Sequence, residues 1–336
     1  MNVLRKGDTA IISRWFPSVH GGAGGMAEVQ RKLTKMDCII EVHDARVPLS
    51  GRNQKFLERL RAARPHLLVY NKVDTIPRKT VPYLKKIVTE KESSSPFPLH
   101  GTPLFCSATK NKRIDKIVPK TVKLIHEFFK HNADFAKLEY TIMIVGVPNV
   151  GKSSIINAVR ETCTGLTNMA TRVGAQPGIT RSVLQTIRVS QHPKIYLVDS
   201  PGVLEPTPVS YERALRLALC GTAIDSLVGN ELMAAYLFNF MQTRGITSYC
   251  NYMGFDKPVD SLPELLRGCA SMLQSRRKTR NFDGTGGYSV KLDLELAAKF
   301  FIMGFRRGEY GKILLDDEDL PSGVQGWEVP EAKDVE

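Results

Sequence analysis

Two short stretches have the residue types and spacing to hold a nucleotide. Residues 146–153, "GVPNVGKS", match G-x-x-x-x-G-K-[ST]. Glycines there let backbone N–H groups curl round phosphates, and the helix that follows adds its positive end. Lys152 is placed to reach the β- and γ-phosphates, and Ser153 to put its hydroxyl on Mg²⁺. Asn149, Val150, Gly151 and Ser154 complete the cradle. The second stretch, Asn71-Lys72-Val73-Asp74, begins 75 residues before Gly146. A carboxylate at Asp74 can accept from both N1–H and the 2-amino group of guanine, a pattern adenine lacks. Lys72 can pack its stem over the base, and Asn71 can tie this loop to the phosphate loop. Ser107 and Ala108, in "CSAT", can offer a backbone N–H to the guanine O6.

Two further stretches belong with the phosphates. Thr180, in "PGIT", lies 27 residues past Ser153 and can act as a mobile ligand for the metal and the γ-phosphate. Asp199, 46 residues past Ser153, opens Asp-x-x-Gly. Its carboxylate can hold a Mg²⁺-bound water, and the Gly202 N–H can meet the γ-phosphate. Val203 stands where a water-orienting glutamine would help, and valine cannot orient water. Intrinsic turnover is therefore expected to be slow and to need another group or a partner. An ATP-using phosphate-loop enzyme is the alternative at this point.

The elements around these residues alternate. "DCIIEVHD", "HLLVY", "LFCSAT", "YTIMIVG", "ITRSVLQTIRVS" and "KIYLVDSPG" read as strands. "QKFLERLRAA", "VPYLKKIVTE", residues 116–130 and "SSIINAVR" read as helices. The alternation predicts a doubly wound α/β sheet. The base loops come first in the chain, then the phosphate loop, then the metal loops. A sheet can be built in that order if its former termini are joined, here through residues 116–140. After Pro208 the pattern turns helical, as in "YERALRLALCGTAI", "NELMAAYLFNFMQTRG", "SLPELLRGCASMLQ" and residues 292–307. The expected division is an N-terminal segment at 1–36, the permuted domain at 37–208, a helical domain at 209–315 and an acidic, disordered tail at 316–336.

The chain has 336 residues, 42% hydrophobic and 24% charged, with a net charge of +13. The tail carries −7, so the other 315 residues carry +20. That balance predicts a polyanionic partner, RNA before others, against the plainer reading of charge kept for solubility. Arg276, Arg277, Lys278, Arg280, Arg306 and Arg307 are the candidate contacts. Six scattered cysteines show no metal-ligand spacing and suggest a reducing compartment. No apolar run approaches the ~18 residues of a membrane span. The first residues have Arg5, Lys6 and Arg14 against Asp8, a balance shared with mitochondrial targeting segments.

The re-ordered motifs, with "WFP" at 15–17, "EVHDARVPLSGRN" at 41–53 and "LALCGT" at 217–222, resemble the circularly permuted GTPases that act on ribosomes in mitochondria and bacteria. The likeness runs over roughly residues 14–315. It implies a Ras-like GTPase fold followed by a smaller helical RNA-binding domain. It also implies hydrolysis of GTP to GDP with Mg²⁺, K⁺ held at Asn149, and Lys152 and Thr180 in the catalytic set. His20 is matched to the family's hydrolytic histidine, although an insertion, "GGAGG", breaks its spacing to Met26. The implied partners are GTP, GDP, and a late precursor of the large ribosomal subunit with its rRNA. The implied setting is a monomer in the mitochondrial matrix, in peripheral contact with the inner membrane. A GTP-binding scaffold without hydrolysis is the alternative.

Overall fold

A computed structural model describes the protein over residues 14–16, 33, 35–52, 60–95, 99–130, 137–166, 186–199, 208, 210–280 and 288–329. Strands β1 (Cys38–Asp44) and β2 (His66–Asn71) are buried along their whole length. Such near-continuous burial is what covering both faces of a parallel sheet demands. Helix α1 (Val81–Ser93) leads to β3 (Leu104–Phe105), and α2 (Ile117–Phe128) to β4 (Glu139–Val145). Helix α3 (Lys152–Thr164) follows β4, and then come β5 (Thr186–Gln191) and β6 (Lys194–Asp199). These strands form one sheet in the order β3-β2-β1-β4-β6-β5. Every pairing is parallel except that of β5 with β6. Its core includes Ile39, Val42, Val69, Ile142, Ile144, Ile155 and Val198. Burying each such side chain contributes roughly 1.5–3 kcal/mol.

The sheet order explains where a ligand can sit. The chain runs outward through β1, β2 and β3, then returns to place β4 on the other side of β1. The crevice at the carboxyl ends of β1 and β4 is therefore a topological switch point, where doubly wound folds bind ligands. Gly146 follows β4 there, and any Cβ on it would collide with the Val42 carbonyl oxygen.

The described chain divides into two compact units, 1–224 with 314–326, and 225–313 with 327–336. Helix α4 (Tyr211–Leu219) belongs to the first unit, although its sequence reads as the start of the helical domain. Its Ala214, Leu215, Leu217, Ala218 and Leu219 are all buried, and Leu217 reaches Gly51. The acidic tail also differs from the disordered segment expected. Asp316 is buried, accepts from the backbone N–H groups of Leu49 (2.8 Å) and Ser50 (2.9 Å), and accepts from the Ser50 hydroxyl. Arg216 of α4 pairs with Asp316 (3.1 Å) and Glu318 (2.6 Å). A composition that reads as solvated is thus fixed by caps and ion pairs that only the fold supplies.

The second unit holds α5 (Asp225–Val228), α6 (Asn230–Thr243), α7 (Tyr249–Met253), α8 (Leu262–Met272) and α9 (Leu294–Arg307). Its core joins Leu237 and Met241 of α6, Leu265 and Cys269 of α8, and Ala298, Phe301 and Phe305 of α9. Asp293 caps α9 by accepting from the Leu296 N–H (2.9 Å). The unit is not wholly helical. The basic stretch after α8 forms β7 (Arg276–Arg280), paired antiparallel with β8 (Tyr288–Leu292). A second small ladder joins β9 (Lys312–Ile313) to β10 (Trp327–Glu328). Among the described residues, no helix is long and apolar enough to cross a membrane.

Candidate nucleotide site

The base loop, after β2, and the phosphate loop, after β4, are bonded to each other across the end of β1. Asn71 donates its side-chain N–H to the Val150 carbonyl (2.9 Å) and accepts from the Ala108 N–H (3.0 Å). One amide side chain thereby links the ends of β2, β3 and β4. Lys72, in the left-handed region at φ 63°, donates to the Asn149 carbonyl (2.8 Å) and to Asp44 (2.8 Å). Gly151 has φ 93°, and a Cβ there would collide with the Asn71 side-chain nitrogen. Only glycine satisfies both the backbone and that close approach. Val73 donates its N–H to the Cys106 carbonyl (3.0 Å), and Ser107 and Lys112 exchange backbone bonds in a tight turn. The second base loop is therefore held beside the first.

Asp74 is the exception in this tied network. One of its carboxylate oxygens is shielded from solvent and has no hydrogen-bond partner among the described residues. A buried acceptor left this way costs about 1–3 kcal/mol. Donors with the spacing of the guanine N1–H and 2-amino group would satisfy it.

At the phosphate end, Lys152 donates to the carbonyls of Gly146 (2.9 Å) and Val147 (3.0 Å). Burial lowers its ammonium to about 8, only partly opposed by Asp199. Burial likewise raises the Asp199 carboxyl against Lys152 and Ser153. Bound phosphate would supply the counter-charge Lys152 lacks. The Ser153 hydroxyl faces Asp199 at 3.4 Å. A hydroxyl and a carboxylate at the mouth of a phosphate loop are hard oxygen donors, which suit Mg²⁺. Ser154 lies in the first turn of α3. Asn149, at φ 60°, donates to the Gly221 carbonyl (2.6 Å) in the loop after α4. His20, Thr180 and Gly202 lie outside the described residues.

Sequence reading passed over the support beneath the base loop. Asp44 takes Arg46 through Nε (3.0 Å) and Nη2 (2.7 Å), and Lys72 beside it. Burial would raise the Asp44 carboxyl, but Arg46 and Lys72 hold it well below the usual carboxylate range. Behind it Glu41 meets Arg52 (3.3 Å), His66 (2.7 Å) and His43, while Glu92 pairs with Arg52 and Arg61. Burial opposes ionisation of Glu41 too, and Arg52 and His43 outweigh it. The available signal was charge inside otherwise apolar strands, Glu41 and Asp44 in "CIIEVHD".

The residues read as RNA contacts fall into different settings. Arg276 and Lys278 are exposed on β7, and Arg307 is exposed at the end of α9. Arg277 is exposed but pairs with Glu295 (2.9 Å). Arg280 closes β7 opposite Tyr288. Arg306 is only 17% exposed and grips Asp225 through both Nη atoms at 2.7 Å. It is committed to the internal structure of its unit.

Comparison with known proteins agrees with the site. Residues 141–232 match the family model for the 50S ribosome-binding GTPase. Mitochondrial ribosome-associated GTPase 1 of Mus musculus is 41% identical over 313 residues, 93% of this chain and 92% of that protein. The chain belongs to the mitochondrial GTPase 1 family. Mitochondrial GTPase 1 of Aedes aegypti is likewise 41% identical, over 91% of this chain and 94% of the relative. GNP-bound YlqF from T. maritima superposes with a TM-score of 0.47 over 85% of this chain and 95% of that chain, at 19% identity. This member of the mitochondrial GTPase 1 family is a GTPase of circularly permuted order, dependent on Mg²⁺.

Proposed function

We propose that this mitochondrial GTPase is a nucleotide-driven switch that joins a precursor of the large ribosomal subunit in its GTP form and leaves after hydrolysis. The observation that carries the reading is the bond from Asn149, in the phosphate loop, to Gly221. Gly221 lies four residues before the second unit begins at Asp225. Permutation puts this loop just upstream of that unit, and the metal-side strand β6 ends 26 residues before it, with α4 between. A change at the γ-phosphate therefore has a short path to the chain segment that leads there.

In this reading Asp74 selects guanine, with Lys72 and Val73 shaping the base loop, while Asn71 and Ala108 hold the two base loops in register. Ser107 keeps the second of these loops folded. Lys152 binds the β- and γ-phosphates, and the N–H groups of Val150, Gly151 and Ser154 line the cradle. Mg²⁺, when bound, neutralises charge that develops on the phosphates during transfer. Ser153 and Asp199 are the residues that would hold it, Asp199 through water, with Thr180 as a further ligand. Gly202 meets the γ-phosphate, Asn149 would hold K⁺, and His20 assists hydrolysis. The setting is the matrix, where the chain acts as a monomer with peripheral contact to the inner membrane.

Sedimentation of the tagged protein with large subunits tests the switch. Co-migration with a GTP analogue but not with GDP is expected; equal migration in both forms would sink it. Multiple-turnover phosphate release should rise when large subunits and K⁺ are both present. No acceleration would favour a scaffold that binds GTP without using its hydrolysis.

A further inference from the structure

We propose that the β7–β8 ribbon is a contact surface for unpaired RNA, with Tyr288 stacking on a base and Arg276 and Lys278 on the flanking phosphates. The inference rests on the ribosome-associated reading and adds the element and the form of RNA. Strand register decides which residues act together. Arg276 lies opposite Leu292, Lys278 opposite Val290, and Arg280 opposite Tyr288. Alternation along each strand puts these six positions on one face. Arg277, Thr279, Ser289 and Lys291 share the other face, where Arg277 is engaged with Glu295.

The first face combines features that a solvated charged surface does not need. Tyr288 is 70% exposed and Val290 58% exposed, although apolar burial would reward covering both. Arg276 and Lys278 are exposed beside them, about 7 Å apart along the strand. Neither strand contains an acid: β7 reads "RRKTR" and β8 "YSVKL". Cations interleaved with an outward aromatic are the means by which proteins hold single strands. The cations follow the backbone, and the ring takes a base face. A duplex keeps its base faces stacked inside, and its deep groove excludes side chains, so it has nothing for Tyr288. A lipid surface fits less well. One tyrosine and one valine offer few methylenes, at about 0.8 kcal/mol for each one buried in a bilayer. Arg306 is excluded from the surface by its bidentate bond to Asp225.

The test uses the full chain, a labelled oligoribonucleotide of about 12 nucleotides, and the same strand in a duplex. The single strand should bind more tightly. Tyr288→Ala should weaken it about 5- to 100-fold at every salt concentration, and Tyr288→Phe should bind as the unaltered chain does. Arg276→Ala with Lys278→Ala should instead flatten the dependence of log K on log salt by about 1.4, or ~0.7 per phosphate contact. An unchanged melting curve of the full chain checks that each variant is folded. Equal binding of duplex and single strand, or no effect of Tyr288→Ala, would overturn the proposal. So would binding to anionic vesicles but not to RNA. If Tyr288-dependent RNA binding holds while GTP-dependent co-sedimentation with large subunits fails, the ribbon stands and the assembly reading falls. The reverse pattern removes the ribbon alone.

Discussion

The nucleotide cradle and the β7–β8 ribbon are both rich in charge, yet they hold it in opposite ways. In the cradle, Asp44 holds Arg46 and Lys72, Lys72 reaches the Asn149 carbonyl, and Asn71 joins Val150 to Ala108; Asp44, Arg46 and Asn71 are buried, and Lys72 and Asn149 half-buried. In the ribbon, Arg276, Lys278 and Tyr288 face solvent. A charge inside a completed network contributes through its neighbours, so removing it costs folding as well as binding. A charge on an open ribbon contributes only when a partner arrives. Substitutions should therefore separate the two regions by which measurement they move.

The largest effect should come from Asp44→Ala. It leaves Arg46 and Lys72 buried without their carboxylate and should cost about 3–5 kcal/mol. Urea unfolding of the first unit would show it, and a loss under ~1 kcal/mol would mean that the two cations find other partners. Next comes Asp74→Asn. Asp74 Oδ1 has no partner among the described residues, so stability should change little. GDP affinity should fall about 100-fold or more, since two bonds to a charged acceptor are worth ~1.5–3 kcal/mol each. Calorimetric titration with GDP and ADP would read this, and an unchanged preference would break the guanine assignment.

A third prediction concerns pH. Burial lowers His66 below its ordinary 6.5, against the raising effect of Glu41. The folded state therefore keeps His66 neutral where the unfolded chain protonates. Stability should be full above pH ~6.5 and should decline below it, by at most ~1.4 kcal/mol per pH unit for one proton. Glu41 and Asp44, both lowered, add a second decline as pH falls below the ordinary carboxylate range. Melting curves at about pH 7.5, 5.5 and 3.5 would follow both stages. The smallest effect belongs to the ribbon. Arg277→Ala breaks an exposed pair with Glu295 and should change stability by less than ~0.5 kcal/mol.

The same contrast explains what could be read from residues alone. Strands β1, β2 and β4 were legible because burial on both faces leaves an apolar run, and the loops after them because phosphate and base binding restrict residue types. Asn71 could be foreseen as a tie between loops, because the tetrad and the phosphate loop must converge on one ligand. The Asp44–Arg46 support was not legible, since the bond that matters joins Asp44 to Lys72, 28 residues away. Asp316 was hidden more deeply. Its partners Ser50 and Arg216 are 266 and 100 residues distant, and composition gave the opposite expectation. The ribbon is not legible as a strand because "RRKTR" has no apolar alternation to mark one. Its pairing with β8 supplies what the local pattern lacks.

Asp316 has a consequence for how the chain reaches its final form. A chain that emerges from its amino end completes β1 to β6 and α4 well before it presents Asp316. Until then the turn at Leu49 and Ser50 has no cap, and Arg216 lacks the buried carboxylate of Asp316. Most of the second unit, residues 225–313, must be made in between. At about 5–20 residues per second, that interval lasts seconds rather than milliseconds. The turn after β1 is thus closed by a residue that arrives after the helices of the second unit, so a chain truncated before Asp316 would hold the nucleotide motifs without the clamp that steadies this turn.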